Sequence, residues 1–143
     1  MDRAATVNPP VTISFTPTAA LWIKLAVLYL IVGVSLGIAM GATQNFVMRP
    51  VHAHVNLLGW TTLALGGLIY TVYPDAGKSV LAKIHFWLHN IALPVMMSAL
   101  AMFLLGNTQA VPFLVASEFV AAAGVIVFAC NIFLNVKKPV GEK

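Results

Sequence analysis

The stretch Pro50-Val51-His52-Ala53-His54-Val55-Asn56-Leu57-Leu58-Gly59-Trp60 opens an apolar run that continues to Tyr73. Pro50 suits the first helical turn, where its missing N–H removes nothing. The run after it is long enough to cross a hydrocarbon layer of about 30 Å. Two imidazoles therefore stand at the head of a membrane-spanning helix, where polar side chains are costly and tend to sit for a functional reason.

The rest of the 143-residue chain agrees with a membrane setting. It is 60% hydrophobic and 8% charged, against roughly 25% charged residues in soluble domains, and its mean hydropathy is +0.93. Besides the second span, Val51 to Tyr73, three more spans are expected: Ala19 to Ala42, Val80 to Leu105 and Val111 to Val136. Residues 1–18, broken by Pro9-Pro10 and Pro17, are expected to form a flexible tail, and residues 137–143 a basic one. The fold class is thus all-α, an integral membrane four-helix bundle occupying residues 19–136 as one domain.

Charge placement sets the expected orientation. With both termini cytoplasmic, Arg3, Lys24, Lys78, Lys83, Lys137, Lys138 and Lys143 lie inside and only Arg49 outside, as the positive-inside rule requires of an N-in, C-in protein of a bacterial inner membrane. The basic residues form no stripe that would follow a phosphate backbone, so no nucleic-acid partner is expected. A single cysteine, Cys130, rules out a disulfide within one chain.

Smaller signals fill in the bundle. Gly33, Gly37 and Gly41 repeat at four-residue spacing on the first span, a pattern that lets another helix backbone approach closely. Trp22 and Lys24 are expected as anchors at one interface, and Tyr70 and Tyr73 at the interface where the second span ends. Pro94 should kink the third span without breaking it.

Helical direction separates the two leading histidines. Residues i and i+2 point about 200° apart, so His52 and His54 cannot easily chelate one ion and must serve different neighbours. Imidazole suits haem iron, copper and zinc. A plain interfacial hydrogen-bonding role accounts for the pair equally well on spacing alone. Asn56 and Trp60 follow His52 on roughly its face and are candidates to line the same pocket. His85 and His89, at i and i+4, share a face and form a candidate second metal site, set against solvated or interfacial rings. A spacing of about 30 Å between the ends of a span keeps the two pairs at separate sites within one chain. Glu118, a carboxylate well inside the fourth span, is a candidate proton or metal contact.

The run from His52 to Trp60, followed by Gly66-Gly67, Tyr70 and Pro74, resembles the tenth helix of subunit I of the C-type haem-copper oxidases and the related nitric oxide reductases. His85-Phe86-Trp87-Leu88 resembles the next helix, and the likeness covers about residues 20–135, corresponding to helices nine to twelve. The resemblance implies that His52 ligates one haem and His54 another. It implies no iron-ligand role for His85 and carries nothing to His89. The chain corresponds to one third of a twelve-helix subunit and lacks the helices bearing three copper-ligand histidines and the crosslinked tyrosine, so one copy encodes no complete oxygen-reducing centre. Because the family subunit is built of three quasi-equivalent four-helix arcs, the resemblance implies a homotrimer, with haem held between protomers.

The function expected is a b-type haem protein for electron transfer or for binding a diatomic gas, NO or O2, served by a redox partner protein. Two alternatives stand beside it. One is an oligomeric NO or O2 reductase with added copper or non-haem iron near His52 and Glu118. The other is a protein that hands haem or copper to an oxidase during assembly.

Overall fold

The computed structural model of the protein describes residues 17–136, and among them every regular element is helical. Four helices are long and apolar enough to cross a membrane: residues 18–43, 49–72, 80–104 and 108–135. These match the expected spans to within a turn. The terminal tails fall outside the described residues except at Pro17 and Thr18, which already belong to the first helix.

Helix α1 runs over Pro17–Thr43. The second span is one continuous rod of three parts: α2, Arg49–His54, with Pro50 in its first turn; a π-helical stretch, Val55–Thr61; and α3, Thr62–Val72. The Pro74-Asp75-Ala76-Gly77 turn signal forms a short helix, α4, Pro74–Lys78. Helix α5, Val80–Leu104, contains Pro94, and α6 spans Val111–Asn135. Gly106 ends the α5 connection with φ +94°, a left-handed conformation that glycine adopts without penalty.

Each helix packs chiefly against its neighbours in sequence. α1 lies along the π-helical stretch and α3, the second span touches α5 through α2 and the π-helical stretch, and α5 pairs with α6. The outer members of this row are the most exposed, with 17% and 11% of their apolar windows buried in α1 and α6 against 39% and 33% in the middle spans. Bilayer or protein must cover what the chain leaves open.

Two clusters hold the row together. One gathers Trp22, Ala26, Leu63, Tyr70, Ala76 and Ala82; the other joins Val51 and Val55 to Leu93, Met96 and Met97. Trp22 and Tyr70 were expected at the membrane interfaces, yet both are 0% exposed. Trp22 lies with its ring centroid 4.7 Å from that of His85 and edge-on to Tyr70 and Phe86 at 5.9 and 5.4 Å. These polar-tipped aromatics are consumed by contacts between helices, which sequence position does not reveal.

A buried polar network closes the end of the bundle that carries the α3–α5 connection. Ser79 caps α5, its Oγ accepting from the Ala82 N–H at 3.0 Å and donating to Asn131 Oδ1 at 2.7 Å. Asn131 Nδ2 donates to the Ala76 carbonyl at 3.1 Å and to the Tyr70 hydroxyl at 3.3 Å. Replacing Ser79 with Ala removes a helix cap and one crossing hydrogen bond, so we expect a loss of about 1.5 kcal/mol. A lower detergent midpoint in SDS-driven unfolding checks it; a midpoint equal to the parent's would show that the cap contributes nothing.

Candidate functional site: the histidines of the second and third spans

His52 points to α1. Its Nδ1 lies 2.8 Å from the Gly33 carbonyl oxygen. A carbonyl oxygen only accepts, so Nδ1 carries the proton and Nε2 keeps its lone pair. The approach is possible because α1 presents glycines there: a Cβ on Gly37 would stand 3.0 Å from His52 Cε1, and one on Gly33 would stand 2.5 Å from the Asn56 amide. Two of the three spaced glycines thus receive this chain's own second span, while a Cβ on Gly41 would meet nothing within 4 Å. Asn56 Nδ2 donates to the His52 carbonyl at 2.8 Å and lies 3.4 Å from Nδ1 of its ring. Asn56 is therefore a neighbour of His52, as its spacing implied. Trp60 packs instead against the cluster around Trp22 and Leu63.

His54 points the other way. Its Nδ1 donates to the Pro50 carbonyl at 2.8 Å, again leaving Nε2 with its lone pair. The exposed ring lines a groove of about 250 Å³ walled by Leu93 and Met96 of α5 and by Glu118, Ala121 and Val125 of α6. Both rings share the donor pattern of metal-ligating histidines, which hold one N–H on a backbone carbonyl or carboxylate to fix ring and tautomer. Helical direction thus has a concrete outcome, with one ring facing α1 and the other facing α5 and α6.

The second pair departs from expectation. His85 and His89 are 2% and 3% exposed, so neither ring is solvated. The Tyr70 hydroxyl is hydrogen-bonded to His85 Nδ1 at 3.0 Å and also accepts from Asn131 Nδ2. The contact with Tyr70 engages one of the two ring nitrogens of His85. His89 Nε2 donates to the Leu58 carbonyl at 3.0 Å, leaving its lone pair on Nδ1. The two rings meet edge-on at 5.8 Å between centroids. His89, expected at a site remote from the leading pair, lines the same groove as His54 and Glu118. The expectation failed because it measured separation along one helix, whereas antiparallel packing sets the middle of α5 beside the middle of the second span.

Glu118 is exposed on α6 at this groove, and no salt bridge pairs it among the described residues. Among the described residues no three His, Cys, Asp or Glu side chains group to hold a metal ion. Within one chain, the Nε2 atoms of His52 and His54 therefore lie on different faces of the second span, with no group of three such side chains about either among the described residues. Sequence reading missed Tyr70, Asn131 and Ser79 as one network. The only hint was the set of polar residues at the matching ends of three spans. No family model, curated protein or solved structure matches the chain.

Proposed function

We propose that the chain binds b-type haem through His52 and His54 and serves electron transfer or the binding of a diatomic gas, NO or O2. The observation that carries the reading is the shared state of the two rings: each Nδ1–H is held on a backbone carbonyl at 2.8 Å, and each Nε2 is left as a free ligand atom on opposite sides of one helix. The surroundings fit an apolar macrocycle better than an ion held by one chain. His54 opens on alanine, valine, leucine and methionine walls, and the ligand atoms do not cluster. Bound haem would supply a one-electron couple or an open iron position. The chain's part is to fix ring direction through Gly33 and Pro50, so that Nδ1–H is held on a carbonyl and Nε2 is turned away from it, and to line the His54 side with apolar groove walls.

Two single ligand positions facing apart imply sites completed by another subunit. We therefore propose a head-to-tail homo-oligomer, with a trimer favoured by the resemblance to haem-copper oxidase subunit I, in which the exposed outer helices α1 and α6 of neighbouring copies meet. Heterologous contacts close into a ring when the rotation between copies closes, and a three-fold rotation would bring the α1 edge of one copy to the α6 edge of the next. The charge distribution supports cytoplasmic termini in a bacterial inner membrane.

Optical spectra of the purified protein, oxidised and reduced, test this. We expect a Soret band in the parent and its loss or displacement in His52→Ala and in His54→Ala. A parent without a Soret band ends the haem reading, and unchanged spectra in both variants end the ligand assignment. Mass measurement in detergent that finds one chain per particle ends the oligomer.

A further inference from the structure

The π-helical stretch Val55–Thr61 begins directly after His54. Such stretches are rare, because they widen the helix and misalign its ladder, and they persist where side chains fix them. Two contacts pin this one from opposite sides. Facing α1, Gly59 abuts Tyr29 so closely that a Cβ would stand 2.6 Å from the ring. Facing α5, His89 donates its Nε2–H to the carbonyl of Leu58 at 3.0 Å. The second contact joins the stretch to the groove, since Leu58, His89 and His54 all line it.

We infer that His89 is a positioning residue for His54: its bond to Leu58 holds the π-helical stretch and so sets where the turn bearing His54 stands against α5. The inference rests on the haem reading for the ligand role of His54. Its backbone part, the hold on residues 55–61, does not. His89 is suited to the task because its ring is 3% exposed and cannot exchange Leu58 for water. No lysine or arginine lines the groove to compete for that carbonyl. The i, i+4 spacing of His85 and His89 also takes a different meaning. The rings share a helix face in order to reach two different parts of the second span, His85 to Tyr70 of α3 and His89 to Leu58 of the π-helical stretch.

Two substitutions separate the hydrogen bond from the ring. In His89→Gln the amide nitrogen stands about where Nε2 stood and reaches Leu58; in His89→Asn the same amide is one methylene short. Hydrogen exchange and optical spectra are measured on the full-length protein in detergent, with helicity by circular dichroism as the check on folding. We expect His89→Asn to speed exchange at residues 58–63 roughly tenfold and to shift the Soret band, and His89→Gln to restore both toward the parent. Parent-like exchange in His89→Asn overturns the inference, and so does equal damage in both variants, which would assign the effect to the imidazole itself. A Soret band that stays put while exchange rises overturns the link to His54. If the parent has no Soret band, the haem reading fails, while the exchange comparison still decides whether His89 holds the stretch.

Discussion

Gly33→Leu is expected to unfold at a markedly lower SDS fraction than the parent, by about 3 kcal/mol, the upper part of the range for overpacking a close contact. A Cβ at this position would stand 2.5 Å from both Nδ2 and Oδ1 of Asn56. The amide cannot swing aside freely, because Nδ2 donates to the His52 carbonyl at 2.8 Å. Either α1 separates from the second span or Asn56 gives up that bond. In the first case the Gly33 carbonyl moves away from His52 Nδ1, and the ring loses the contact that fixes its tautomer; in the second the Asn56–His52 bond is lost instead. Gly41→Leu is the control, since a Cβ there meets nothing within 4 Å and is expected to leave the midpoint in place. Equal midpoints for Gly33→Leu and the parent would show that the glycine contact does not hold the helices together. On the haem ligation proposed above, Gly33→Leu should weaken any Soret band of the parent together with stability, which would tie the fold to the proposed ligand position.

Asn131→Leu is expected to lower stability by about 2 kcal/mol, taking ~0.6 kcal/mol for each of the hydrogen bonds that Asn131 makes to Ser79, Tyr70 and Ala76 on other helices. Asn135 Nδ2, which donates to Asn131 Oδ1 at 2.8 Å, loses its partner as well. Asn131 is 0% exposed, so water does not replace what is lost. The effect should reach His85, because the Tyr70 hydroxyl, no longer held by Asn131 Nδ2, is freed to turn from the ring. Unfolding of Asn131→Leu, Ser79→Ala and the double variant gives the test. The double variant should cost less than the two singles added, since they share one bond. A leucine variant as stable as the parent would mean that apolar packing replaces the network in full, as happens when buried polar groups are exchanged for well-packed apolar ones.

The placement of the histidines explains what can and cannot be read from such a chain. That His52 and His54 face apart follows from helix geometry alone, and the structure realises it with Gly33 on one side and the α5–α6 groove on the other. Trp60, at a spacing that suggests the His52 face, packs elsewhere. Its spacing from His52 was measured on an α-helix, while the intervening turns are π-helical. The solvated reading of His85 and His89 failed for a different reason. Neither ring has a charged partner in sequence, but each has an uncharged one in space, a phenol and a backbone carbonyl.

By itself the sequence determined four spans with boundaries good to about a turn, an all-helical chain and two leading histidines aimed apart. Each follows from local chemistry: apolar length summed along the chain, proline and glycine at the turns, and about 100° of rotation per residue. Only the tertiary structure decided that Gly33 and Gly37 receive the chain's own His52 and Asn56, that Trp22 and Tyr70 are buried, and that His89 joins His54 at one groove. The physical reason is that helices in a membrane are matched by close packing and hydrogen bonds between particular faces. The partners of those bonds here, Leu58 with His89 and Asn131 with Tyr70, lie 31 and 61 residues apart in the chain.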